Sequence, residues 1–264
     1  MLRRLRSHLT YANVMATIAV FLVLSGGAAV ALNGSNTRVR QGGCAPTMAG
    51  TGAMVKVGSF CIDKYEASVW SSPKGGTQYG VSSDDYPCND NGQNCSNIYA
   101  RSVAGVAPSR HITWFQAQQA LANSGKRLPS NAEWQAAVRG TPDAGPDNGT
   151  TDCTTGRGQA GTPAGTGSRS SCVSDWGAYD MVGNLNEWVA DWVPASDACP
   201  GWDAAGNFSS DDTMCLAGAS TTRGPGAVVR GNDFGGGTFA GPFTVYGINT
   251  PSSSNKFVGF RGAR

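Results

Sequence analysis

Histidine is nearly absent from this 264-residue chain, which has only His8 and His111. A zinc or iron centre built on imidazoles usually draws on two or three of them, so the sequence offers no such centre. A serine nucleophile would depend on His111 as its base, and no Gly-x-Ser-x-Gly elbow precedes it; a Gly-x-x-x-x-Gly-Lys-Ser phosphate loop is also missing. Charge is scarce too, at 14% Asp, Glu, Lys and Arg and a net +2, against a usual ~25% charged. Arg3, Arg4 and Arg6 crowd the N-terminus, so the remainder has no clustered basic face and nucleic acid is not an expected partner. No two cysteines have the Cys-x-x-Cys spacing of a zinc ribbon or redox motif.

Glycine is abundant, at 37 residues, and seven Trp and nine Phe accompany it. Disordered chains are poor in aromatics, so this composition indicates irregular segments pinned by buried rings. Residues 1–31 read as an export segment, with a positive start, an apolar run from Val14 to Leu24 and a small-residue cleavage site at Ala29-Val30-Ala31. The rival reading is a retained membrane anchor, because a spanning helix needs roughly 20 apolar residues. Either way the chain beyond it is expected outside the cytoplasm, with membrane contact only through this segment. Residues 32–50 form a polar linker, and residues 51–264 have room for one domain of about 210 residues with a real core.

The eight cysteines, Cys44, Cys61, Cys88, Cys95, Cys153, Cys172, Cys199 and Cys215, suit an oxidising compartment. Sequence cannot choose among about 105 connectivities. Four consecutive local pairs, 44 with 61, 88 with 95, 153 with 172 and 199 with 215, would each staple a Gly/Ser/Asp-rich loop.

Met54–Val57 alternates like a short strand and Phe60-Cys61-Ile62 continues it, while residues 71–100 read as loop. A helix is predicted from Thr113, where Thr113 and Gln116 make a capping box and Trp114, Ala117 and Leu121 share a face up to Gly125. Ser130 and Glu133 cap a second helix, with Trp134, Ala137 and Val138 as its apolar stripe and Gly140 as its stop. Glu133 thus has a structural duty rather than a catalytic one. Residues 141–174 and 194–227 read as coil, and Asp84-Asp85 and Asp211-Asp212 as solvated turn residues. Val228–Arg230 and Phe257–Arg261 are strand-like closing pieces.

The densest stretch is GAYDMVGNLNEWVADW, Gly177 to Trp192. Its centre, Val182 to Glu187, can turn backbone carbonyls inward and adds the Glu187 carboxylate, which are oxygen ligands of the kind Ca²⁺ takes. Tyr179, Trp188 and Trp192 would fix this loop against a core. The bland alternative is a tight glycine turn between buried aromatic segments.

Together with GKRLPSNAEWQAAVRG from Gly125 and VGFRGAR from Val258, and opened by MVKVGSFCIDKYEAS from Met54, this block resembles the formylglycine-generating, sulfatase-modifying factor family. The resemblance implies an α+β, C-type-lectin-like fold, loop-rich, with short strands and two main helices. It implies a structural Ca²⁺ on the carbonyls of Val182, Gly183 and Leu185 and the side chain of Glu187, and a weaker second site around Asp152, Cys153 and residues 157–161. In the family's oxidases, a cysteine pair just after an Arg-Gly-Gly-Ser block binds copper and converts a substrate cysteine to formylglycine. Here the matching stretch, RGNDFGGGTFAG from Arg230, has no cysteine. Thiolates are what hold Cu(I), so copper is not expected. The expectation is therefore a recognition domain for a peptide or glycan, with Asn232, Asp233, Phe234, Phe239 and Tyr246 lining the groove. The rival is a divergent oxidoreductase modifying protein cysteine.

Overall fold

A computed structural model describes residues 43–45, 48–143, 147–156, 161–200 and 211–264. Residues 1–31, expected to be an export segment or anchor, and most of the expected linker lie outside the described residues. Residues Gly42–Arg264 form one compact unit.

The first sheet is a hairpin of β1 (Met54–Val57) and β2 (Phe60–Asp63). A three-stranded antiparallel sheet follows, made of β3 (Ala67–Ser72), β4 (Gly75–Tyr79) and β5 (Tyr99–Ser102) in the order β4-β3-β5. Helices α1 (Trp114–Asn123) and α2 (Asn131–Ala137) come next. The main sheet has the order β10-β6-β8-β9-β7, formed by β6 (Asn186–Pro194), β7 (Met214–Cys215), β8 (Pro225–Arg230), β9 (Val245–Tyr246) and β10 (Val258–Phe260). The fold is α+β and loop-rich, as the resemblance implied.

Both helices begin where local side-chain chemistry dictates. The Thr113 hydroxyl accepts from the Gln116 amide while Gln116 Oε1 accepts from the Thr113 amide, at 3.2 and 3.0 Å. Ser130 and Glu133 exchange the same pair of bonds at 3.1 and 2.8 Å, and Glu133 also takes a two-pronged contact from Arg127 at 2.7 and 2.6 Å. These reciprocal bonds satisfy amides that a helix start leaves without partners.

Strand alternation divides the core in two. On β6, Trp188 packs with Val69, Ile112, Leu121 and Phe260, whereas the next residue, Val189, packs with Ile62, Trp134, Met181 and Val228. Successive strand residues point to opposite faces, so β6, the longest strand of the main sheet, feeds both clusters. The C-terminus closes the molecule: Cys61 and Arg264 exchange two backbone bonds of 2.9 Å, and Ala263 bonds Arg127 in both directions.

The four disulfides join Cys44 to Cys61, Cys88 to Cys95, Cys153 to Cys172 and Cys199 to Cys215. Three sequence expectations need correction. The span 71–100 contains β4 and the start of β5, and Gly75-Gly76-Thr77-Gln78-Tyr79 carries no apolar alternation that would reveal a strand. The span 194–227 contains β7 and opens β8. Trp192 is not a core anchor: it is 43% exposed on β6 and lies edge-on to Trp114 at 5.1 Å.

Replacing Cys153 and Cys172 together by serine should destabilise the domain by about 3 kcal/mol, given the loop-closure dependence on length and their separation of 19 residues. A urea midpoint unchanged from wild type under non-reducing conditions would contradict that bond.

Candidate functional site

Beneath the loops lies a buried network of carboxylates and cations. Arg261, fully buried, sends Nε to both oxygens of Glu187 at 2.8 and 2.7 Å, and Trp134 Nε1 donates to Glu187 Oε2 at 2.8 Å. The remaining Arg261 donors reach the carbonyls of Asp63 at 3.1 Å and Tyr179 at 2.8 Å. The four segments that carry the family resemblance therefore meet around one ion pair. Beside it Lys126 Nζ donates to Asp63 Oδ1 at 2.6 Å and to the Thr51 carbonyl at 2.9 Å.

This geometry puts Glu187 to a use other than the expected one. Both of its oxygens are turned into the core against Arg261 and Trp134, so the carboxylate that the calcium set requires is already neutralised. The Val182 carbonyl faces Cys172 Sγ at 3.4 Å, and Gly183 and Leu185 belong to the backbone that links the network to the groove. Of the second expected site, Cys153 is in a disulfide, Asp152 sits near the Thr151 hydroxyl at 3.4 Å, and residues 157–160 lie outside the described residues. Among the described residues no group of three or more His, Cys, Asp or Glu side chains is arranged to hold a metal. As placed, the Glu187 carboxylate serves Arg261 and Trp134.

Two further carboxylates complete the network. Glu66 accepts the Leu185 amide at 2.9 Å and the Asn184 side-chain amide; burial pushes its pKa well up, and the charges of Asp180 and Glu187 add to the effect. Asp180 accepts the Gly167 amide at 2.6 Å, and burial raises it to about 6 against the pull of that amide and of Arg261.

Asn184 turns the network toward the surface. It holds a positive φ of 59°, its carbonyl accepts the Phe234 amide at 3.0 Å, and its Oδ1 accepts the Ala164 amide at 2.8 Å. Gly183, at φ 72°, donates to the Gly231 carbonyl at 2.9 Å. A Cβ there would stand 2.4 Å from the Thr154 carbonyl oxygen, so glycine is required by the close approach as well as by the backbone angle.

Past Gly231 the chain lines a groove. All five residues expected there, Asn232, Asp233, Phe234, Phe239 and Tyr246, share one cleft of about 450 Å³ with Thr213 and Phe257. A second lobe of about 330 Å³ shares Asn232, Asp233, Tyr246 and Phe257 and adds Asn186, Asn249 and Asn255. Asn232, at φ 64°, donates to the Tyr246 hydroxyl at 3.0 Å and the Phe239 carbonyl at 3.2 Å, while its Oδ1 accepts the Asp233 amide at 2.9 Å. Asp233 accepts from Asn186 Nδ2 at 2.9 Å and from the Gly235 amide at 2.8 Å. Phe234 is buried and packs on Phe257 with centroids 5.4 Å apart; Phe239 is 54% exposed. Burial raises the Tyr246 pKa, against the hydrogen bond with Thr213, so its hydroxyl stays protonated. Asn186 and Phe257, which sequence reasoning did not select, complete the walls.

Arg230, which precedes the groove, points away from it. Its guanidinium lies 4.5 Å over the Trp134 ring and donates to Asn131 Oδ1 at 2.7 Å; burial lowers its pKa to about 10, with Asp212 opposing. Asp212 is not the solvated turn residue expected, since it is buried and accepts the Phe243 amide at 2.7 Å. His111 is half-buried at φ 57°, with burial and then Arg110 holding its pKa below the usual range, and its amide donates to the Asn255 carbonyl at 2.9 Å. Every cysteine is disulfide-bonded, so no thiolate is available for Cu(I) and the site does not fit copper.

The sequence profile of the sulfatase-modifying factor enzyme 1-like domain matches residues 12–264. The chain belongs to that family. It is 27% identical over 175 residues to the formylglycine-generating enzyme of Thermomonospora curvata, covering 59% of this chain and 55% of the relative. It is 28% identical over 162 residues to the tail fiber receptor-binding protein of Bordetella phage BPP-1, covering 60% of this chain and 38% of that one. The chain thus spans about half the length, or less, of these relatives. In structure it is similar to the major tropism determinant I1 variant, with a TM-score of 0.52 at 19% identity, covering 84% of this chain and 54% of the other. The fold of this family member is C-type-lectin-like.

Two predictions follow from the network. Glu187→Ala should cost about 3–5 kcal/mol by leaving Arg261 buried without its counter-charge, equally in calcium and in EDTA; a loss seen only with calcium would restore Glu187 as a metal ligand. Asp180 contributes stability fully below its ordinary 3.8 and loses it as pH rises through about 6. Asp180→Asn should therefore be about 2 kcal/mol more favourable relative to wild type at about pH 7.5 than at about pH 4.5. Equal differences at the two pH values, read by urea unfolding, would show that Asp180 does not titrate in this window.

Proposed function

We propose that this chain is an exported recognition domain of the sulfatase-modifying factor family, one that binds an extracytoplasmic peptide or glycan in the groove of Asn232, Asp233, Phe234, Phe239 and Tyr246 and does not oxidise thiols through copper. The observation that carries the reading is the groove itself. The segment that in the family's oxidases is followed by reactive cysteines here forms an aromatic and amide-lined cleft with no thiol, and all eight cysteines are in disulfides. Loops on a rigid scaffold are a usual place for binding. A relative whose name is a receptor-binding protein supports recognition, and four disulfides support an oxidising compartment. The N-terminal segment, cleaved or retained as an anchor, would deliver the domain there. Among the described residues no helix is long and apolar enough to cross a membrane.

The rival oxidoreductase is tested by incubating copper-loaded protein with a Cys-x-Pro-x-Arg peptide and oxygen. No loss of substrate thiol above background is expected, and sustained loss would overturn the reading. Recognition is tested on peptide and glycan arrays, where Phe239→Ala should weaken any hit by about tenfold, as loss of an aromatic anchor does, without shifting the melting temperature. Hits indifferent to this change would place binding elsewhere.

A further inference from the structure

Asparagine stands directly before glycine at three places, Asn33, Asn91 and Asn148, of which the first lies outside the described residues. A glycine leaves its backbone nitrogen open to close approach, and that nitrogen can attack the asparagine side-chain carbonyl before it to close a cyclic imide. The two described pairs differ in what surrounds them. On the exposed loop at Asn148, the side-chain oxygen accepts the backbone amides of Thr150 and Thr151 at 2.9 Å each, that of Asp152 at 3.2 Å and the Thr150 hydroxyl at 3.1 Å. Its Nδ2 donates to Thr151 Oγ1 at 2.8 Å. The Gly149 amide, which would be the nucleophile, donates to Asp147 Oδ1 at 2.7 Å. The Asp147 side chain is fully buried, with Arg169 Nη1 3.8 Å away, and its second oxygen accepts the Gly156 amide at 3.2 Å. At Asn91 the side-chain oxygen accepts the Gln93 amide at 3.1 Å, and the Gly92 amide donates to the Asn89 carbonyl at 2.9 Å. That pair has a carbonyl where Asn148 and Gly149 have a carboxylate.

We propose that Asn148 and Gly149 form a self-modification site, at which Asn148 is converted through a succinimide to aspartate and isoaspartate. The Gly149 nitrogen bonds to the side-chain carbonyl carbon of Asn148 while its proton passes to Asp147 Oδ1, a general base already in hydrogen-bond reach. The amides of Thr150, Thr151 and Asp152 hold the oxygen as it gains negative charge, which is how acyl transfer is assisted elsewhere. The bond from that carbon to Nδ2 then breaks, and the nitrogen leaves as ammonia with the proton that Asp147 took up. Water adds to either carbonyl of the imide and opens it to aspartate or isoaspartate, with no oxidant or reductant involved. Both products put a new carboxylate on the loop that leads to Gly156 in the groove wall, and isoaspartate also lengthens the backbone there. The inference does not depend on what the groove binds.

The test follows both described pairs in the whole domain, so that Asn91 serves as an internal reference. Protein is held at mildly alkaline pH, folded and in parallel in concentrated urea, then digested at acidic pH. Mass spectrometry with electron-transfer fragmentation reads the exchange of amide for acid at each asparagine and separates isoaspartate from aspartate. In the folded protein Asn148 should convert at least about tenfold faster than Asn91, since a positioned base contributes that much or more. In urea, where both are Asn-Gly pairs in an unfolded chain, the difference should vanish. Asp147→Asn should slow Asn148 by at least about tenfold and leave Asn91 unchanged. The comparison of folded and unfolded wild type decides the question if this variant folds poorly. An Asn148 that stays intact in the folded protein, a ratio to Asn91 that is the same in both states, or a folded Asp147→Asn variant that converts Asn148 as fast as wild type would each overturn the proposal.

Discussion

The Glu187–Arg261 ion pair is the constraint around which this domain is arranged. Two charges taken fully out of water are tolerated only when each is neutralised and its remaining hydrogen-bonding capacity is met. Trp134 and the carbonyls of Asp63 and Tyr179 meet that requirement. Because the partners stand 74 residues apart, with Trp134 a further 53 before Glu187, the pair can form only when α2, β6 and the segment after β10 are all in place. It therefore couples the chain's closing residues to β6, and the C-terminal backbone bonds to β2 and Arg127 accompany the same placement.

From that pair a continuous set of bonds leads outward. Glu66 holds Asn184 and Leu185, Asn184 holds Phe234, and Phe234 packs on Phe257 at the groove wall. The positive φ values of Asn184 and Asn232 are accommodated by residues that reach left-handed backbone more readily than most, and the neighbouring bonds hold each in position. A groove made of irregular loops is in this way attached to a rigid interior, which is the arrangement in which loops serve recognition. The disulfides fasten loops to this interior: Cys153–Cys172, buried in the second core cluster, ties the loop that meets Gly183, and Cys199–Cys215 is joined to β7.

Features set by neighbours in sequence were legible without the structure. The capping boxes at Thr113 and Ser130 involve residues three positions apart, so their bonds could be anticipated from residue type and spacing alone. The strand Met54–Val57 announced itself by alternation. By contrast β4 is glycine-rich and becomes a strand only through pairing with β3, and Trp192 looked like an anchor until its place on an exposed part of β6 was known. The two acids at Asp211 and Asp212 look alike in sequence, yet Asp212 is drawn inside by the Phe243 amide, 31 residues away.

What the sequence determined by itself was the family, the α+β class, the helix starts and the absence of any cysteine from the groove segment, because each depends on residue identity or short spacing. It also named the five residues that come together as one cleft, by carrying them in a single stretch with Tyr246 close behind. Tertiary structure alone decided what Glu187 does. A carboxylate in a glycine turn is chemically suited to calcium or to a guanidinium, and only the arrival of Arg261 in the same desolvated space selects the second.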